Sequence, residues 1–123
     1  MTEAPSKRVL QREERRRQIL DAALTVFSQK GFHASNVSDV AAQAGVSQGT
    51  IYWYFESKDE LFTAAMLSVF IDFGQEAVTS MEACDTASEK LRALARSIEE
   101  FVARFEGMFI MFLGYWASSA DRE

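Results

Sequence analysis

Apolar residues recur along most of this chain at intervals of three and four, the period of a helix that buries one stripe. Ile19, Leu20, Ala23, Leu24, Val26 and Phe27 share such a stripe, and Gly31 follows where a left-handed cap commonly ends a helix. This predicts a first helix from about Arg12 to Lys30, all charge in its opening turns and apolar in its second half. Val37, Val40, Ala41 and Ala44 repeat the spacing behind Asn36, a good cap with Asp39 three residues on, so a short second helix is expected from Val37 to Ala44. Gly45 permits a sharp turn, and Ser47 can cap a third helix running from Gln48 to about Phe55. Two short helices joined by so tight a turn are the pattern of a helix-turn-helix.

Ser57 and Glu60 form the next capping pair, opening a helix whose apolar positions persist from Leu61 past Phe73 to Val78, long enough to connect two modules. Thr86 and Glu89 open a fifth helix that Gly107 is expected to stop. A sixth, from Met108 to about Ala120, begins with ten residues that offer no polar face, so it should be buried all round in its natural setting. The neighbouring helices can cover only part of it, which predicts an exposed apolar patch on this chain taken alone. The fold class is therefore all-α: a three-helix, homeodomain-like head followed by a fragment of a helical bundle. Residues 1–11 read as a flexible basic arm, 12–57 as the head, and 58–123 as the connector helix with part of a second helical domain.

Charge changes this picture by its placement. The 123 residues carry a net charge of -5, which alone argues against a nucleic-acid partner. Residues 1–58, however, hold eight Lys and Arg against six acids, and residues 59–123 hold five against twelve. A basic head on an acidic body can dock on a phosphate backbone while the body stays off it. Cys84, the single cysteine, cannot form an intrachain disulfide, which fits a cytoplasmic setting. The basic N-terminus has no apolar signal core, and the longest apolar run, Gly107 to Ala117, is too short to span a bilayer, so no membrane association is expected. One histidine and one cysteine make neither a metal site nor a catalytic pair; no enzymatic activity, cofactor or metal is expected.

The third helix carries the chemistry. At 100° per residue, Ile51 and Phe55 point one way while Gly49 and Trp53 point almost opposite, flanked by Thr50 and Tyr52. Two aromatics and a glycine make a poor solvent face, since glycine costs about 1 kcal/mol relative to alanine in a helix. A face that must come close to a partner and lay flat side chains against it explains the choice. The major groove of duplex DNA is such a place: Gln48 can pair with adenine through two hydrogen bonds, Thr50 can donate or accept, and Gly49 lets the backbone approach. Tyr52 and Tyr54 offer hydroxyls to phosphates, and Lys58 adds a positive charge beside the same strand. Arg12, Arg15, Arg16 and Arg17 are either a solvated helix start or a further contact to phosphate or the minor groove.

The stretch Ile19-Leu20-Asp21-Ala22-Ala23, Phe27, Gly31-Phe32, Val37-Ser38-Asp39-Val40-Ala41 and then Ala44 through Leu61 without a gap resembles the DNA-binding domain of the TetR/AcrR family nearly position for position. The resemblance implies a dimeric transcriptional repressor on a palindromic operator, released by a small-molecule effector. It places Tyr52, Tyr54 and Lys58 on phosphates and Gln48, Gly49, Thr50 and Trp53 at the groove. Trp53 stands where a His or Tyr is usual and Gln48 where a Lys is frequent, so base preference is not readable. Beyond Leu61 the likeness is one of layout, which makes 58–123 a connector helix with a partial ligand-binding or dimerisation domain, in which Phe70, Phe101, Phe105, Met108, Phe112 and Trp116 would line a pocket for an apolar or aromatic ligand. Each of these six, taken singly, reads first as a plain core residue. The competing reading of the whole is a helical protein-interaction module whose apolar C-terminal surface docks a partner without DNA.

Overall fold

The computed structural model describes residues 6–120, which form five helices: α1 (Lys7–Lys30), α2 (Val37–Ala44), α3 (Gln48–Tyr54), α4 (Lys58–Glu82) and α5 (Ala87–Ala120). They divide into two units, one ending at Ala65 and one beginning at Met66. That division falls within α4, eight residues beyond the boundary expected from the sequence, because the first two turns of α4 carry core residues of the head.

In the first unit, Ile19, Leu20, Ala23, Val26 and Phe27 of α1, Val37, Val40 and Ala41 of α2, Ile51 of α3 and Leu61, Phe62 and Ala65 of α4 are buried together with Phe32 and Phe55. At about 1.5–3 kcal/mol for each large side chain withdrawn from water, this stripe is the main force assembling the head. Its centre is an aromatic triangle: the Phe62 ring meets Phe27 and Phe32 edge-on, each at 5.2 Å between centroids, and Phe27 lies 6.1 Å from Phe32. Edge-to-face geometry sets the positive rim of one ring against the negative face of the next.

The turns are closed by the residues whose chemistry suits them. Gly31 ends α1 at φ 79°, with ψ 168° rather than the left-handed helical value expected, and its N–H donates to the Phe27 carbonyl at 2.8 Å. Gly45 ends α2 at φ 73°, ψ 32°; its N–H donates to Ala42 and the Val46 N–H donates to Ala41, the paired bonds of a Schellman turn. These are the two positive-φ glycines among the described residues, and a side chain at either would be strained. Asp39 accepts from the Asn36 N–H at 2.9 Å and faces Lys30 at 3.4 Å, tying the start of α2 to the end of α1. The Asn36 N–H, with Lys30 beside it, holds the Asp39 carboxyl below the usual carboxylate range, against a smaller opposing effect of burial.

Two expectations from the sequence need correcting. The basic segment before Arg12 is not an arm over its described length: α1 starts at Lys7, with Ser6 as cap accepting from the Val9 N–H at 3.3 Å. Arm residues 1–5 lie outside the described residues. The fifth and sixth helices are a single element, α5, that bends at Phe105 (φ -112°, ψ 18°) and continues to Ala120. Gly107 does not end it, because a glycine caps a helix by taking a positive φ and Gly107 does not take one.

In the second unit, Ala93 and Met108 of α5 and Met66, Val69 and Ala77 of α4 are buried, whereas Leu91, Ile98, Val102, Phe109, Ile110, Leu113 and Trp116 are exposed. The apolar patch expected on α5 is thus present. By length and composition α4 could also cross a membrane, but about a third of its most apolar window is buried and its apolar residues include head core.

Candidate nucleic-acid interface

Ser47 starts α3 by accepting the Thr50 N–H at 3.1 Å, and its hydroxyl also shares a hydrogen bond with the Thr50 hydroxyl at 3.0 Å. Ile51 and Phe55 anchor the helix inside, at 1% and 2% exposure, while Tyr52 and Trp53 stand outside at 52% and 65%. Gln48 and Gly49 are exposed on the first turn, and Tyr54 is half-buried. A methyl group built at Gly49 would meet only the Ser47 Oγ at 3.7 Å, an ordinary contact, so the head itself does not require a glycine there. Arg15, Ser47, Gly49, Thr50, Trp53 and Tyr54 border an open hollow of about 520 Å³ along this face.

Trp53 is held in place although it is exposed. The Arg12 guanidinium lies over its ring at 5.3 Å from the centroid, and the Tyr54 ring meets it edge-on at 4.9 Å. Arg16 lies over Phe55 at 5.2 Å. A cation against the negative face of an aromatic ring is attracted by about 0.5–1 kcal/mol at an exposed site. Two successive turns of α1 are thereby fastened to the end of α3. The sequence signal was the helical spacing of Arg12 and Arg16, which lie on one face only if α1 is already formed at Arg12.

Lys58 is placed differently from the other residues expected at the interface. Its Nζ donates to the Phe32 carbonyl at 2.9 Å and the Ser35 carbonyl at 3.1 Å, and sits 4.3 Å from the Phe32 ring centroid. Two of the three ammonium donors thus clasp the turn between α1 and α2 to the start of α4. Ser35, fully buried, supports the same turn by donating its hydroxyl proton to the Gly31 carbonyl.

Of the six residues expected to line an effector pocket, Phe70, Phe101 and Phe105 come together. The Phe101 ring lies 5.7 Å from Phe70 and 5.0 Å from Phe105, and 4.6 Å from Phe73, a residue the family layout does not point to. Phe112 and Trp116 pair with each other at 6.2 Å, and Met108 is buried. The hollow beside Phe73, Phe101 and Phe105 measures only about 60 Å³ and is edged by Glu76, Glu100 and Arg104. Sites for drug-sized ligands run from roughly 300 Å³ upward, so these walls amount to part of a site at most.

A short capped helix joined by a Schellman turn to a second one, with a half-exposed aromatic face on the second, defines the class: a helix-turn-helix head on a helical body. Residues 19–65 match the family model for bacterial regulatory proteins of the tetR family. The likeness to that family covers the head and the first two turns of α4. It is 39% identical over 74 residues to a fatty acid metabolism regulator protein of Bacillus subtilis, spanning 60% of this chain and 38% of that one. A TetR-like transcriptional regulator from Rhodococcus superposes with a TM-score of 0.64 at 32% identity, over 88% of this chain and 64% of the other. The Bacillus subtilis transcriptional regulator FadR, solved with stearoyl-CoA, superposes with a TM-score of 0.64 at 33% identity, over 77% of this chain and 51% of its own. The chain spans between about a quarter and a little over half of the curated relatives it matches.

Proposed function

We propose that this chain is the DNA-reading part of a ligand-responsive transcriptional repressor that acts in the cytoplasm as a homodimer on a palindromic operator. The observation that carries the reading is the outward face of α3: Trp53 and Tyr52 exposed beside Gly49, over a helix pinned by Ile51 and Phe55. Gln48, Gly49, Thr50 and Trp53 would face base edges in the major groove, and Tyr52 and Tyr54 would give hydroxyls to phosphates. Thr50 would reach a base only through the face of its hydroxyl not shared with Ser47. Lys58 would offer a phosphate its third N–H, two being engaged within the head.

The effector would be small and apolar or aromatic, with Phe70, Phe101, Phe105, Met108, Phe112 and Trp116 contributing walls. The stearoyl-CoA in the FadR structure supports an apolar ligand, and the exposed apolar side of α5 supports a site or subunit contact completed by further protein. The effector would act by favouring the conformation that does not bind DNA.

Selection from a random duplex library, followed by salt titration of the selected sequence, tests the reading. A palindromic consensus is expected, with affinity falling on a log-log plot by about 0.9 per phosphate contacted. Trp53→Ala and Gln48→Ala should alter which bases are preferred, at about 1–3 kcal/mol for the affected pair. Absence of duplex binding at low salt would refute it and favour a protein-interaction module, for which the exposed α5 face is the supporting observation.

A further inference from the structure

The opening turns of α1 carry basic residues where the helix dipole disfavours them. Lys7, Arg8, Arg12 and Arg15 precede the first buried position, Ile19, and there is no acidic residue in the first turn. Helix stability alone would place Asp or Glu there. Arg8, Gln11, Arg12 and Arg15 instead border, with Glu14 and Tyr54, an open groove of about 510 Å³. Arg15 and Tyr54 also border the hollow along α3, so the two depressions meet at that pair. Arg12 is partly committed to the Trp53 ring, and Arg17 pairs with Asp21 at 3.3 Å. Arg8 and Arg15 are exposed on the groove.

We propose that the first turns of α1 form a second DNA-backbone surface, in which Arg8 and Arg15, with the Tyr54 hydroxyl, bind phosphodiesters of the duplex whose bases α3 faces. This rests on the function proposed above. Seven residues of helix separate the two arginines by about 10 Å along the axis, too far for both to hold the oxygens of one phosphate. They therefore meet different phosphates, and each adds its own counterion release. The Arg12 contact to Trp53 fixes the basic wall to the base-facing helix, so both engage one duplex in one register.

The test is salt-titrated binding of the full chain to a random-sequence duplex, with helicity followed by circular dichroism. Arg8→Gln and Arg15→Gln should each lower the log-log salt slope by about 0.9 and weaken binding to all sequences alike. Arg15→Lys, which keeps the charge, should retain the slope. An unchanged slope in both glutamine variants, with wild-type binding intact, would overturn this proposal and leave the α3 reading standing. A slope lost equally in Arg15→Lys would assign the effect to altered packing and also overturn it. A wild-type chain that binds no duplex would overturn the function reading together with this one.

Discussion

The two units treat their apolar residues in opposite ways. In the first, the large residues of the stripe are closed off almost completely: Ile19, Phe27, Ile51, Leu61 and Phe62 are all at or below 1% exposure. In the second, α5 leaves Phe109 and Ile110 at 65% and 70%. The head thus has a finished core whose helices are joined by two glycine turns and closed by Phe62 on Phe27 and Phe32, whereas the second unit leaves core-type residues of α5 largely exposed. Function follows the same division. A finished head can hold α3 in a fixed pose, while the effector site proposed above, built from half-covered aromatics, would need more protein to close it.

The contrast is most directly broken by truncation. Phe62→Ala, which removes the centre of the aromatic triangle, should destabilise the head by about 3–5 kcal/mol, read as a lower urea midpoint. Leu113→Ser on the exposed side of α5 should change stability, read from the same midpoint, by no more than about 0.5 kcal/mol. Equal losses would mean that the α5 face is part of the folded core after all.

Lys58 sharpens the contrast further, since it stands at once in the head's framework and near its proposed interface. Lys58→Ala should cost about 1.5–3 kcal/mol of stability without any DNA present, because it strips charged donors from the Phe32 and Ser35 carbonyls. Thermal unfolding of the free protein measures this. Unchanged stability accompanied by weaker DNA binding would return Lys58 to a purely phosphate-facing role.

Much of the head was legible in the sequence, and the reasons are local. Asn36 with Asp39, Gly45 and Ser47 are short-range signals acting within a turn, and Ile51 and Phe55 follow from helical period alone. The backbone role of Lys58 was not legible, because its partners Phe32 and Ser35 lie more than twenty residues away in sequence and only the folded turn brings their carbonyls to the ammonium. The start of α1 was missed for a different reason: charge without an apolar stripe reads as solvated chain, although Ser6 supplies a cap. The continuity of α5 is not legible because a glycine at 107 signals a turn that its φ does not make. The six expected effector residues follow from layout alone, and only three of them share one cluster.

The smallest effect concerns Asp39. Its folded-state ionisation is favoured relative to the unfolded chain, so the stability it contributes is present above the ordinary carboxylate value and lost as pH falls through the lowered one. Acid titration of the wild type against Asp39→Asn should show the two curves converging below about pH 4. Curves that stay parallel through that range would show that the Asn36 and Lys30 contacts contribute nothing.

Gly49 bears on how such a head can vary. The interior neither fills nor needs the space where its side chain would stand, so the helix would fold with alanine at that place and gain rigidity from it. Under the proposed function, what occupies that position is decided from outside the molecule. Among proteins sharing this architecture, the residue there should follow the identity of the docked target while the turn that precedes it stays constant.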